Sequence, residues 1–468
     1  MPQIARLTFS RGTLVLEGVT RAGIERIFST PLPAAWEFDP RAGIWRCDAV
    51  HYVRVREALQ ARCLGSVDLV PQPPQVEWPR VALPPLRADQ RAAVEAWRRT
   101  ARGVIVMPTG TGKTEVALAI MAETAVATLV VAPVRDLMHQ WHRRLLERLG
   151  YDAGVIGDGR HDLRPVSVTT YESACIHMER LGDRFGLIVF DECHHLPGPV
   201  RADAARMCAA PRRLGLTATP ERGNGTPLDL DALIGPVVHA ASIAEARGNT
   251  LADYDVVRIP VHLSDAERRR YARLCDEVRR YVFERRQVEP HFTWEQLCRE
   301  THADPAARRA LQAFYAKQAI EDRAEEKLRV LEDLFRLHAG EPVLVFAGSN
   351  AMARDVSLRF LIPCLLHHSK KEERLDYLRG LEAGTYPALV ANRVLDEGVD
   401  LPAVKVAVVL GGGSGSRQAQ QRLGRVLRKS GNARAVLYEV VCAETSEEER
   451  SRRRRRNEAY ARTRRHQQ

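Results

Sequence analysis

The sequence predicts an α/β protein built from two parallel-sheet blocks, with a small α+β segment in front and a helical region between the blocks. Three observations carry this. Short apolar runs alternate with helical segments twice along the 468 residues, the pattern of strands covered by helices on both faces. A glycine-rich loop joins an apolar strand to a helix at 103–121, a phosphate-binding arrangement. A proline-rich stretch at 70–86 separates the first block from what precedes it.

In chain order, residues 1–70 form the small segment. "LTFSRGTLVLEGV" alternates like strand and "AVHYVRVREALQARCLG" reads as an amphipathic helix ending at Gly65. The stretch 71–86 is neither regular helix nor central strand and reads as a linker. Within 87–250, "GVIVM", "TLVVAP", "VSVTTY" and "LIVFDE" are buried-strand candidates. Residues 264–338 are charge-rich and helical. Strand signals resume in "VLVFAG", "ALVAN", "VKVAVVL" and "AVLYEVV", which defines a second block at 339–445. The tail at 446–468 is highly charged and shows nothing core-like.

Composition narrows the function classes. No run of about 18 apolar residues occurs, and the N-terminus lacks a signal pattern, so the expectation is a cytoplasmic protein with no membrane contact. The nine cysteines form no C-x-x-C pair, which argues against structural zinc and iron–sulfur clusters. The formal charge of +11, with arginine far in excess of lysine, suits a polyanionic partner.

The chemistry concentrates in two segments. In "GVIVMPTGTGKTEVALAIM", Gly110 and Gly112 let backbone N–H groups approach phosphate. Lys113 can reach the β- and γ-phosphates, and the Thr114 hydroxyl can ligate Mg²⁺. The strict pattern has glycine where Met107 stands. In "LIVFDECHHLPG", Asp191, Glu192, Cys193, His194 and His195 form one row. Downstream of such a loop, Asp191 is expected to hold Mg²⁺ and Glu192 to activate water. The alternatives are a zinc cage, disfavoured because adjacent histidines point different ways, and a Cys193 nucleophile.

These segments resemble a superfamily 2 helicase. "MPTGTGKT" is similar to motif I, "DECH" to motif II, "GLTATPER" to motif III, "VLVFAGSN" to motif IV, "VANRVLDEGVDLP" to motif V and "QRLGRVLR" to motif VI, in order over some 320 residues. "LRADQRAAVEAW", "GSGSRQAQQRLGRVLR" and the leading "WEFDPRAGIWRCDAVHYVRVREAL" are more closely similar to the XPB-like family of DNA repair and unwinding ATPases. The resemblance implies two RecA-like motor domains, a leading domain associated with damaged DNA and a thumb-like helical element. It implies ATP and Mg²⁺ as cofactors, held by Gln90, Thr109, Gly110, Thr111, Gly112, Lys113 and Thr114.

By the same resemblance, Gln421, Arg425 and Arg428 complete the catalytic set from the second block, the two arginines sharing a helix face. His194, Thr217 and Thr219 couple the nucleotide to DNA. Arg135, Thr169, Asn392 and Arg393 offer contacts to DNA phosphates. The family triplet Arg-Glu-Asp after motif III is linked to unwinding; here Arg222, Gly223 and Asn224 occupy it. Strong strand separation is therefore in doubt, but not ATP hydrolysis or translocation, with an implied 3′ to 5′ direction. The expected protein is a monomeric ATP-dependent DNA translocase or helicase of a repair pathway. The alternatives are an RNA-directed ATPase of the same superfamily, or a nucleotide-gated partner of a separate nuclease or repair factor.

Overall fold

The computed structural model describes residues 4–28, 36–63, 65–198, 200–218, 230–241, 254–366, 369–392, 404–411 and 435–455. Thr219, Arg222, Arg393, Gln421, Arg425 and Arg428 lie outside the described residues. The chain divides into two compact units, Met1–Ile243 and Ala244–Gln468.

The first unit opens with a five-stranded sheet in the order Glu37–Asp39, Ile44–Asp48, Thr13–Glu17, Arg6–Ser10, Val67–Asp68. Arg11 and Gly12 both take positive φ, 49° and 79°, between the paired Ser10 and Thr13. That is the two-residue turn whose twist suits a hairpin. Helix Tyr52–Arg62 lays Tyr52, Val55 and Leu59 on Leu7, Leu14, Leu16 and Trp45. Ala209, from the block that follows, belongs to the same core. A β-carbon on Gly12 would come within 2.8 Å of Met207, so the hairpin sits close against that block.

The proline-rich stretch is not the free linker its composition suggests. Val76 is buried, and Gln75 bridges Val126. The N–H groups of Arg80 and Ala82 donate to Leu149 and Arg148 carbonyls at 3.3 and 2.7 Å, and the Trp78 ring meets Tyr151 edge-on. Prolines remove N–H donors and favour extended backbone, so the segment straps the domain surface through its few remaining amides.

The large sheet of the first unit has eight strands. Their order is Val237–Ala240, Arg102–Val106, Arg212–Thr217, Leu187–Asp191, Thr128–Ala132, Val166–Thr170, Gly154–Gly157, Arg160–His161. All pairings are parallel except the last. Residues 128–132, 166–170 and 187–191 are buried throughout, as expected for strands covered on both faces. The helices Ala88–Thr100, Lys113–Thr124, Arg135–Leu149 and Tyr171–Leu181 provide that cover.

The second unit holds a six-stranded, wholly parallel sheet. Its order is Tyr254–Val261, Ala435–Cys442, Val406–Val409, Val343–Phe346, Ala388–Ala391, Cys364–Leu365. This sheet begins before the helical region, whereas the sequence pattern starts it at 339. Tyr254–Val261 pairs over its full eight residues with Ala435–Cys442. Helix Glu325–Leu337, read from sequence as part of the helical region, places Leu331 and Leu334 in the core of this sheet. Helices Asp265–Val288, Trp294–Glu300 and Pro305–Asp322 lie between, and together they enclose a small core around Tyr281, Phe292, Leu297, Ala307 and Ala310. Trp294 and Phe314 pack ring on ring at 4.2 Å, while Tyr315 stays exposed.

The expectation of a coreless tail also needs correction. Helix Ser446–Arg455 starts it, and Glu447 and Ser451 are fully buried. Their partners are the Lys327 ammonium and the Glu439 carboxylate, so charge patterning alone concealed a packed element.

Candidate active site

The C-terminal ends of strands Arg102–Val106, Arg212–Thr217 and Leu187–Asp191 lie side by side in the first unit's large sheet. Ligands of open parallel sheets bind at that edge. Strand Arg102–Val106 runs into Met107, whose side chain is fully buried in the core. Its N–H donates to Thr217 O at 3.0 Å. A core side chain thus occupies the position that the strict motif gives to glycine, and the loop begins one step later.

Gly110 and Gly112 take φ of +86° and +80°. Gly112 caps helix Lys113–Thr124. A β-carbon there would lie 2.5 Å from Gln90 Nε2, so both backbone conformation and space require glycine. Gln90 is itself buried. Its Nε2 donates to Thr111 O at 3.1 Å and Gly112 O at 3.4 Å, while its Oε1 accepts from Arg87 N at 3.0 Å. The Arg87 guanidinium donates to Thr111 O as well. Gln90, which the resemblance counts among the ATP-holding residues, braces the loop against the start of helix Ala88–Thr100.

Lys113 Nζ donates to Met107 O at 3.1 Å and stands 3.9 Å from Glu192 Oε1. Both side chains are about nine-tenths buried, with exposures of 9% each. Asp191 closes its strand. Its Oδ2 accepts from Trp141 Nε1 at 2.8 Å and its Oδ1 from Glu192 N at 3.0 Å, while its carbonyl accepts from Tyr171 Oη at 3.1 Å. Burial, then the neighbouring Glu192 charge, pushes the Asp191 carboxyl up to about 6, against the pull of the indole and Lys113. Glu192 has φ 47°, a left-handed conformation rare outside glycine and found at strained functional positions.

His194 Nδ1 lies 3.1 Å from Thr217 Oγ1 and 3.4 Å from Glu192 Oε2. Motif II and the strand that leads into motif III are thereby joined through one imidazole. His195 turns away, its Nδ1 3.3 Å from an Arg201 nitrogen. Cys193 is fully buried, and burial together with Glu192 and Asp191 raises its thiol well above the ordinary range, which is unsuited to a nucleophile. The Thr109 hydroxyl is buried with no hydrogen-bond partner among the described residues, while Thr111 Oγ1 donates to Pro108 O at 2.6 Å. Thr114 is half-buried on the first turn of the helix.

The expected DNA contacts fare unequally. Arg135 is exposed at the head of its helix, 3.0 Å from Asp158. Thr169 is not available: it is 1% exposed and its hydroxyl donates to Ile156 O at 2.7 Å. An inward-facing position in a two-sided strand hides it, and Thr170 beside it caps helix Tyr171–Leu181. In the second unit, Asn392 Nδ2 donates to Asn350 Oδ1 at 2.7 Å, which ties the end of strand Ala388–Ala391 to helix Asn350–Phe360. Sequence reasoning missed Trp141 and Arg87. Trp141 sits mid-helix in a run with no motif, and only the folded sheet brings it to Asp191.

Comparisons with known proteins match three segments of the chain. Residues 7–70 match the Xeroderma pigmentosum group B helicase damage recognition domain. Residues 83–222 match the type III restriction enzyme res subunit, and 326–430 the helicase conserved C-terminal domain. The crystal structure of the Pyrococcus furiosus Hef helicase domain is similar in fold, with a TM-score of 0.54 at 17% identity, covering 78% of this chain and 97% of that one. The two α/β units are thus RecA-like, as the family resemblance implies. The "DNA 3′-5′ helicase XPB" of Kineococcus radiotolerans is 33% identical over 379 residues, 78% of this chain and 61% of the relative. The "DNA 3′-5′ translocase XPB2" of Sulfurisphaera tokodaii is 39% identical over 363 residues, 77% of this chain and 82% of the relative. With its leading domain, its two helicase domains and a relative that similar over most of both lengths, the chain belongs to the XPB family of DNA 3′–5′ helicases and translocases.

Proposed function

We propose that this protein is an ATP-driven DNA translocase acting in DNA repair, moving 3′ to 5′, with weak strand separation of its own. The observation that supports it best is the convergence of Lys113, Asp191 and Glu192 at one sheet edge, with His194 and Thr217 leading away from it. The site fits a nucleotide with magnesium. The loop carries Gly110 and Gly112 at positive φ, and Thr109 brings a buried hydroxyl with no hydrogen-bond partner among the described residues. Thr114 and Asp191 are hard oxygen donors suited to Mg²⁺. When bound, the magnesium ion neutralises phosphate charge.

The chain's own residues then have distinct tasks. Lys113 exchanges the Met107 carbonyl for phosphate oxygens. Asp191, held by the Trp141 indole, presents a carboxylate to the metal's water shell. Glu192 orients the attacking water and accepts its proton. Gln421, Arg425 and Arg428 are the proposed source of the remaining positive charge. His194 transmits the state of Glu192 to Thr217, and thence toward Thr219 and Arg222. Arg135, Asn392 and Arg393 are proposed contacts to DNA phosphates, which carry no sequence preference.

The decisive experiment compares ATPase rates with single-stranded, duplex and forked DNA and with RNA, alongside strand displacement on the fork. DNA stimulation is expected, lost in Lys113→Ala and Glu192→Gln, with little displacement because Gly223 and Asn224 replace the acidic pair. Absence of stimulation by any DNA would sink the reading. RNA outperforming DNA would move it to the RNA-directed branch of the superfamily.

A further inference from the structure

The opposite, N-terminal edge of the first unit's large sheet opens on a cavity of about 450 Å³ between the leading domain and the sheet. Its polar lining comes from three places: Arg56 on helix Tyr52–Arg62, Gln72 and Gln75 on the proline-rich strap, and Thr100, Arg102 and Arg212 at the strand entrances. Three arginines therefore line one cavity, and none of the described lining residues is an aspartate or glutamate.

Several arginines elsewhere in this unit do have a carboxylate partner: Arg98 with Glu123 at 2.8 Å, Arg144 with Glu115 at 3.1 Å, Arg201 with Glu172 at 2.7 Å. At the cavity, Arg56 Nε is buried without a hydrogen-bond partner among the described residues, and its guanidinium lies 5.5 Å from the Tyr52 ring centre. Arg102 uses Nε on Ile234 O at 3.3 Å. Burial, then the Arg213 and Arg54 charges, lowers the Arg102 guanidinium to about 9. Like charges drawn from two folding elements into one concave space are costly unless an anion joins them.

From this geometry we infer that the cavity is a second anion site, distinct from the nucleotide loop, that takes a compact di- or triphosphate. The volume is that of a small-ligand pocket, enclosed on one side by the strap, and too confined for a duplex. Arginine forks match phosphate oxygens in pairs, and Gln75 adds a neutral amide, while Gln72 and Thr100 already donate to Tyr52, Val70, Trp97 and Arg102 within the wall. The site lies at the far end of the strands that carry the nucleotide loop: Arg102 and Val106 bound one strand of five residues, which spans roughly 15 Å. An occupant would bridge the leading domain to the sheet and tie their movements together.

The test is calorimetric titration of pyrophosphate into the full chain, with the nucleotide loop first saturated by Mg²⁺ and a non-hydrolysable ATP analogue. One further binding event is expected, weakened at least tenfold in Arg56→Gln/Arg212→Gln, while the variant keeps its affinity for the analogue. Pyrophosphate should also raise the thermal midpoint of the wild type and not of the double variant. Single Arg212→Gln, at a half-exposed position, should show an intermediate loss and guards against misfolding of the pair. No second event in the wild type, or equal binding in wild type and variants, would overturn the proposal. So would arginine-dependent binding of a 5′-phosphorylated oligonucleotide without binding of pyrophosphate, which would make the cavity part of a DNA path.

Discussion

The Trp141 indole donates to Asp191 Oδ2 at 2.8 Å, with both groups buried. The bond favours the carboxylate, whereas burial and Glu192 favour the acid. Only the carboxylate can serve magnesium. Trp141→Phe removes the donor, worth about 1.5–3 kcal/mol when its acceptor is charged, and so raises the acid fraction further. The Mg²⁺ concentration for half-maximal ATPase should rise several-fold at pH 6.5 and much less at pH 8. An equal shift at both pH values would mean that the indole acts through packing alone.

Gly112→Ala puts a β-carbon 2.5 Å from Gln90 Nε2 at a φ of +80°. The left-handed conformation costs roughly 1–2 kcal/mol for a non-glycine residue, and Gln90 must release Thr111 and Gly112. The KM for ATP should rise at least tenfold with far-ultraviolet dichroism unchanged. Gln90→Ala should raise it too, and the double variant by less than the product, because both changes loosen the same brace.

These two sites show what a sequence does and does not disclose. Gly110, Gly112, Lys113, Asp191 and Glu192 are readable because phosphate chemistry demands those residue types at fixed local spacing beside a strand end. The parallel sheets are readable because their strands are apolar on both faces. Trp141 is not, since its partner lies 50 residues away and no local rule links them. Thr169 misleads for the opposite reason: a polar side chain in a strand looks available until both faces are covered. Tyr254–Val261 and Glu447 escape because a strand ahead of a helical region, and one carboxylate in a charged tail, acquire meaning only through partners at the other end of the unit.

His51 offers a pH test of the arginine-rich junction. Burial, then Arg54, Arg213 and Arg102, lowers its imidazole to about 4. The folded protein keeps it neutral, while the unfolded chain takes up a proton near pH 6.5. Its contribution is therefore intact above pH 6.5 and declines as pH falls from 6.5 to 4, by at most about 1.4 kcal/mol per pH unit. Urea unfolding at pH 7.5, 6.0 and 5.0 should show the wild type losing more stability across this series than His51→Gln. Parallel slopes would assign the acid sensitivity to other groups.

Lys327 and Glu447 form the most deeply buried ion pair described here, Nζ to Oε2 2.8 Å with neither side chain exposed. The ammonium also donates to Leu410 O at 2.8 Å, and Glu447 Oε2 accepts from Cys442 N at 2.9 Å. The pair therefore pins the tail helix, helix Glu325–Leu337 and the ends of two strands of the second sheet together. Lys327→Met leaves a carboxylate uncompensated in the core, a loss of about 3–5 kcal/mol. The second unit's calorimetric transition should fall by roughly 10 °C, with the first unit's unmoved. Lys327→Met/Glu447→Gln removes the stranded charge and should recover much of the loss, because desolvating an ion pair offsets most of its attraction. If the double variant is no more stable than the single, the Glu447 carboxylate matters chiefly as the acceptor for Cys442 N, and the tail helix is held by its hydrogen bonds rather than its charge.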